Sequence, residues 1–378
     1  MRNFRTIIGF GLILFITITM VIISQPAIKA TRSGHEPVKT SETIRLLATG
    51  DILMHNTVIA AGLNHGEYQY EQMFAPIKHI VESADYAMIN LEAALAGPKN
   101  GYTGYPLFNA PDSLATALNN TGFDLVTNAN NHILDRGYEG AIRTLDVLRQ
   151  SGLDTLGVNP SQQERETPLI KDIRGVKVGF LAYGYDTNGI PLPQDKPYFY
   201  NLLDEQVVLQ DITALRPQVD ILVVSLHWGV EYSPYPTEKQ IAMAQRFFIQ
   251  GADVIFGGHP HVLQPAEVLT VSGQKKFIVY SMGNCLGDQN GVERNSGVII
   301  SLAFKKDLLT GKTELQSFDY IPTFSHSYIE NNRENFRVIP VPETIQKVKA
   351  HQDPHLQDDS LALLEHISQA CQAKMSSP

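Results

Sequence analysis

The sequence predicts an α/β protein whose chemistry lies at the carboxyl ends of its strands. Apolar runs of strand length alternate with longer amphipathic stretches, as in FDLVTN before YEGAIRTLDVLRQSG and DILVVSL before TEKQIAMAQRFFIQG. Short apolar runs read as buried strands, and the amphipathic stretches as helices that stop at glycine. The second observation is chemical. Five of the strand-like runs end in metal-ligand residue types: Gly50-Asp51, Asn90-Leu91-Glu92, Asn130-Asn131-His132, His227-Trp228-Gly229 and Gly258-His259-Pro260-His261. Ligands of open α/β sheets bind just beyond the carboxyl ends of strands, so these five ends are expected to converge on one crevice.

Taken in order, the elements begin with Arg2 and Arg5, then an uncharged run from Ile7 to Ile23. This reads as a membrane-targeting segment over residues 1–24. A retained single-pass anchor is the expectation, with a cleaved, secreted form as the alternative, because no small-x-small cleavage site follows: Ile28 stands two before Ala30. The basic end should stay in the cytoplasm and the rest of the chain lie outside. Residues 25–43 are polar, carry two prolines and read as a linker.

A folded domain is expected over 44–323. IRLLAT leads to Asp51, YAMI to Glu92, FDLVTNA to Asn131 and His132, DILVVSL to His227, and ADVIF to His259 and His261. VKVGFLAY (176–183) adds a strand before His227. KKFIVYSMG (275–283) and SGVIISLAF (296–304) follow one another with no helix between, which points to an antiparallel or mixed second sheet. Residues 324–378 turn polar and read as a helical extension, with ETIQKVKA and DSLALLEHISQACQAK as surface helices.

Composition narrows the class. At 378 residues and 43% hydrophobic content the chain can bury a large core. Cys285 and Cys371 are its two cysteines, so it is no disulfide scaffold. Residues 1–30 hold three basic and no acidic side chains, so the net charge of −9 becomes −12 for the remainder. Such a surface argues against nucleic acid as a partner. Attraction of an anionic substrate must then be local, and bound cations supply it best. The mixed Asp, Glu, Asn and His donor set suits divalent Mn, Fe or Zn.

The ordered motifs Gly50-Asp51-Ile52-Leu53-Met54, Asn90-Leu91-Glu92, Asn130-Asn131-His132, His227-Trp228-Gly229, Gly258-His259-Pro260-His261 and Tyr280-Ser281-Met282-Gly283-Asn284 resemble the CapA family of poly-γ-glutamate capsule synthesis proteins, itself similar to the calcineurin-like metallophosphoesterases. The resemblance spans roughly residues 44–320 and implies a metallophosphatase-like four-layer αββα sandwich behind an N-terminal membrane anchor. It further implies Asp51 and His261 on a first metal, Glu92 as the bridging carboxylate, and Asn131, His227 and His259 on a second. His132 takes the place of the leaving-group acid. Two cations sharing a carboxylate activate water for hydrolysis.

Three departures or open choices accompany the resemblance. Catalytic phosphoesterases carry Asp-x-His at the first motif, where this chain has Leu53, so one or two ions per chain are both admitted. His55 lies two residues on and needs a loop bend to substitute. Cys285 is read as an apolar filler rather than a nucleophile. Ser281, Asn284 and Arg294 are candidate substrate-binding residues, although Ser281 and Asn284 can equally form the turn that Gly283 permits. Asp135 and Asp253 are candidates to orient the ligand histidines. Histidines outside the motifs, among them His326 and His366, are assigned to surface or loop positions.

The expected role is a membrane-anchored extracellular protein of polyglutamate capsule biosynthesis or export, acting as a metal-dependent hydrolase and meeting the membrane components of a polyglutamate synthase complex. An anionic polymer or a phosphoester is the expected substrate. A secreted phosphoesterase acting on nucleotide or cell-wall phosphate, and a non-catalytic scaffold, are the alternatives.

Overall fold

The computed structural model describes residues 39–376. The anchor expected over 1–24, and the linker up to residue 38, lie outside the described residues. Among those described, no helix is long and apolar enough to cross a membrane.

Strand β1 (Ser41–Ile52) opens the fold, and a two-residue hairpin, β2 (Leu63–Asn64) with β3 (Glu67–Tyr68), follows it. Then come β4 (Tyr86–Leu91), β5 (Leu125–Thr127), β6 (Asp154–Leu156), β7 (Leu169–Ile173), β8 (Val176–Gly184), β9 (Ile221–His227) and β10 (Val254–Gly258). The last part contains β11 (Ala266–Val271), β12 (Gln274–Val279), β13 (Asn284–Leu286), β14 (Ser296–Asp307), β15 (Thr313–Glu330) and β16 (Arg333–Pro340). Apart from the β2–β3 pair, they form two large mixed sheets. One has the order β16-β15-β14-β1-β4-β5-β6, with β13 also pairing β1, and the other β11-β12-β10-β9-β8-β7.

Side-chain alternation explains the layering. In β1, Ile44, Leu46 and Ala48 face a core shared with Val178, Val223 and Phe256 of the second sheet. Leu47 points the other way, into a core with Val58, Phe74, Leu114 and Leu118 of the helical segments between β1 and β5. Leu222, Val224 and Ile255 likewise leave the inter-sheet core and meet Val208, Ile212, Phe247 and Phe248 of the helices Glu205–Leu215 and Glu238–Gln250. Helices therefore cover the outer face of each sheet. A strand buried on both sides reads as a continuous apolar run, which is why DILVVSL and ADVIF lack alternation.

Helix ends follow local chemistry. Thr237 and Gln240 form a capping box at the start of Glu238–Gln250, and Gly251 (φ 131°) terminates it. Asp204 caps Glu205–Leu215 by accepting from the amides of Gln206 and Val207.

Two expectations change. KKFIV and SGVIISLAF are adjacent in sequence but belong to different sheets: β12 pairs β10 in parallel, whereas β14 runs antiparallel to β1. The region after 323 is not simply helical, because β15 runs through that point to Glu330 and β16 pairs with it. Helices Val341–Lys349 and Leu361–Met375 follow, and Cys371 and Met375 of the latter reach the inter-sheet core.

Candidate metal centre

Strand register brings the motif residues together. In the first sheet Asp51 pairs with Asn90 of β4 on one side and Asn284 of β13 on the other. In the second, His227 pairs with Gly258 of β10 and Gly184 of β8. Because β1, β4, β9 and β10 point the same way within their sheets, both sheets present their carboxyl ends to the crevice between them. Close approach depends on Gly258, where a Cβ would lie 2.6 Å from Asp51 Oδ1. His259 and His261 take positive φ of 94° and 57°, a region L residues rarely occupy. Backbone strain of this kind persists where surrounding contacts fix it, and commonly at functional sites.

Two ligand-type sets result, Asp51-Glu92-His227 and Glu92-His259-His261, each with one donor atom per residue lying within 4.8 Å of the others. Glu92 belongs to both. Its carboxylate is fully buried, and among the described residues neither Oε1 nor Oε2 has a hydrogen-bond partner. The nearest basic atoms are His227 Nε2 at 3.4 Å and His261 Nε2 at 3.8 Å from Oε1. His259 Nδ1 is likewise buried without a partner. A buried, unpartnered carboxylate is costly unless a cation meets it. These orphaned donors, of the types that divalent metals select, fit a metal centre.

Asp51 is held in place from two sides, its Oδ1 accepting from Asn90 Nδ2 at 2.8 Å and its Oδ2 from the His259 amide at 3.0 Å. Asn131 Oδ1 lies 2.7 Å from His227 Nε2, and Glu92 Oε1 lies 3.4 Å from the same nitrogen. The geometric sets group His227 with Asp51 and His259 with His261, whereas the family pattern groups Asp51 with His261. His261 Nδ1 is still 3.8 Å from Asp51 Oδ2.

The electrostatics are those of a tightly coupled cluster. Burial and the neighbouring Glu92 raise the pKa of Asp51. Burial opposes ionisation of Glu92 too, but the His227 and His261 imidazoles outweigh it and hold that carboxyl well below the usual range. Burial, then His227, pushes His259 down to about 3, which keeps it neutral. Neutral imidazole is the form that binds metal.

His132 sits beside this cluster. Its Nδ1 lies 2.8 Å from Asp135 Oδ2, which also accepts from the Phe108 amide at 2.6 Å, and the Phe108 ring packs edge-on at 4.7 Å. Nε2 is left facing Asn188 Nδ2 at 3.4 Å. Asp135 thus orients His132 rather than a ligand histidine.

Other expectations resolve differently. Asp253 pairs with Arg216 and Lys276, and orients no ligand. Ser281 is buried, and its Oγ accepts from the Gly283 amide, so it forms the turn and offers no substrate contact. Asn284 is also buried. Its Oδ1 lies 3.0 Å from His261 Nδ1, fixing that ring from behind. Arg294 stacks its guanidinium 3.7 Å above the Tyr232 ring, at the edge of the site. Leu53 is in the apolar core, and His55 Nδ1 accepts from the Asp288 amide. His55 therefore does not join either ligand set. Burial pushes the Cys285 thiol up to about 12, as suits a filler. His326 is buried within β15 against Arg337, not on the surface.

Sequence reasoning missed Asn90, Asn188 and Tyr185. Asn90 stands two residues before Glu92 in the same motif, a spacing that favours one strand face and could have marked it. Asn188 and Tyr185, the latter 4.5 Å from the His259 ring, lie in a loop with no local signature.

A sequence profile described as "Bacterial capsule synthesis protein PGA_cap" matches residues 45–289. The chain is 28% identical over 316 residues to the PGA biosynthesis protein CapA of Bacillus subtilis (strain 168), covering 81% of this chain and 80% of that one. It is 27% identical over 293 residues to the capsule biosynthesis protein CapA of Bacillus anthracis, covering 75% and 69%. Among solved structures, the NAD nucleotidase NadN of Haemophilus influenzae matches with a TM-score of 0.50 at 14% identity, over 87% of this chain and 68% of that one. That likeness concerns the fold alone.

Proposed function

The chain belongs to the bacterial capsule synthesis protein PGA_cap family, and from that premise we propose that it is a divalent-metal-dependent hydrolase of polyglutamate capsule synthesis or export. The observation that carries the metal reading is Glu92: a fully buried carboxylate with two unpartnered oxygens, common to two ligand sets. Asp51, Asn131, His227, His259 and His261 complete the donors for one or two ions of the Mn, Fe or Zn class. Such ions supply Lewis acidity and charge neutralisation to a bound oxyanion.

The chain's own residues do the rest. Asp135 accepts from His132 Nδ1 and so fixes the ring with Nε2 toward the crevice, where a protonated Nε2 donates to a leaving group. Asn284 fixes His261 and Asn90 fixes Asp51, so neither ligand has to reorganise when charge develops. The substrate is an acidic polymer or a phosphoester. The N-terminal segment holds the domain on the outer face of the membrane, next to the membrane components of the synthase; the uncharged run from Ile7 to Ile23 supports that placement.

The test is turnover of an aryl phosphodiester and of γ-linked polyglutamate by the full chain with manganese, beside His227→Ala. Metal-dependent turnover of either substrate, lost in the variant, supports the reading. A scaffold role without catalysis is the second reading, and Leu53 favours it, since an apolar core residue stands where the phosphoesterases carry a nitrogen ligand. Polymer production that survives His227→Ala and His132→Ala in cells would decide for the scaffold.

A further inference from the structure

Beside the metal centre lies a cavity of about 360 Å³, closed on one side by the helix Leu361–Met375. That volume is in the range that holds a small organic ligand. Its connection to the centre is direct. Tyr232, in its lining, has its ring 6.0 Å from that of His261 and donates its amide to the Pro260 carbonyl at 2.8 Å. Asn284, which fixes His261, donates from Nδ2 to the carbonyl of Arg294 at 2.6 Å. The cavity and the ligand histidine therefore share a wall.

Its chemistry is two-sided. Leu263, Ile367 and Ala370 make an apolar surface, while Arg294, Lys374, His366 and Glu293 bring the charge. Arg294 rests on the Tyr232 ring, and Lys374 Nζ sits 3.6 Å from the Tyr235 ring centre while donating to the Pro234 carbonyl at 2.7 Å. Arg294 is held by an aromatic face, and Lys374 by an aromatic face and a carbonyl. Neither lies within 4.0 Å of a carboxylate oxygen among the described residues. Arg294 and Lys374 over an apolar floor, facing one carboxylate in the lining, Glu293, are complementary to an anion with an aliphatic body.

We propose that this cavity is an acidic-oligomer subsite of the metal centre, holding carboxylates spaced by methylene groups, with Arg294 and Lys374 as its anion-binding groups and the C-terminal helix as its wall. The proposal rests on the polymer reading given above and extends the site past the family-matched residues 45–289 to elements that lie outside them. The methylenes lie on Leu263, Ile367 and Ala370, and the carboxylates meet the guanidinium and ammonium groups. Glu293 opposes binding.

Calorimetric titration of the full manganese-loaded chain with a γ-linked glutamate hexamer, and with the same hexamer amidated on its side carboxylates, tests this. Arg294→Gln and Lys374→Gln should each weaken the acidic hexamer roughly fivefold or more, leaving metal content unchanged. Glu293→Gln should tighten it, an effect that loss of packing would not produce. The amidated hexamer should bind weakly to every form. Binding that is unchanged in both Arg294→Gln and Lys374→Gln but abolished by Glu92→Ala overturns the subsite while leaving the metal-centre reading intact. A wild-type chain that ignores the acidic hexamer also overturns the subsite, and aryl phosphodiester turnover then judges the hydrolase reading separately.

Discussion

Glu92 Oε1 lies 3.4 Å from His227 Nε2, and among the described residues no group donates a hydrogen bond to either oxygen of that buried carboxylate. Asp51 and Asp135 are restrained: Asp51 accepts from Asn90 and His259, and Asp135 Oδ2 from His132 and Phe108. Glu92 is thus the group whose electrostatics depend most on what binds there.

Glu92→Gln should therefore destabilise more with metal than without it. In chelator-treated protein the neutral amide removes repulsion with Asp51 but also the attraction of the His227 and His261 imidazoles, which outweighs burial of the carboxylate, so the variant should melt below the wild type. In manganese the gap should widen, because wild type at 100 times its dissociation constant gains about 2.7 kcal/mol from binding. Melting curves in both conditions check the widening.

His132→Ala should lower turnover by roughly 10²- to 10⁴-fold with metal content unchanged, the span expected for a general acid. Asp135→Asn should cost less, since the ring remains and loses its anchor. Equal metal content with unequal rates in the two variants is the result to look for.

At Gly258 a methyl group would meet Asp51 Oδ1 at 2.6 Å. Gly258→Ala should displace that carboxylate and weaken metal affinity roughly tenfold or more, the scale seen when a ligand's support is lost. The fold should survive, because the conflict is with a side chain; circular dichroism with metal titration measures both.

A pH effect is expected at His326. Burial, then the Arg337 guanidinium, lowers the pKa of His326 to about 4, against 6.5 when exposed; Asp353 works the other way, and His355 adds to the lowering. The folded state thus favours neutral His326. Its contribution is complete above pH 6.5 and is lost as pH falls toward about 4, amounting at most to roughly 2–3 kcal/mol. His326→Gln should flatten the stability curve across that window. Urea denaturation at several pH values, compared between the two proteins, checks it.

Much of the site was legible because ligand chemistry is local. An apolar run followed at once by Asp51, or by Asn131 and His132, states both a strand and a candidate ligand end. What stayed hidden depends on register and distant pairing. That Asp135 serves His132 while Asp253 pairs with Arg216 at another point of the fold follows from three-dimensional placement. SGVIISLAF returns to β1 instead of joining β12, a choice that its apolar pattern leaves open, since either sheet would bury it. The tail misled by its polarity: β16 is charged at its start, Arg333 and Glu334, and becomes buried from Phe336 onward.

The most direct test is metal content per chain, by mass spectrometry, on the full protein purified with manganese and beside Glu92→Ala. One to two ions per wild-type chain, with loss in the variant, is the predicted result. Wild-type protein that carries no more metal than Glu92→Ala would contradict the account.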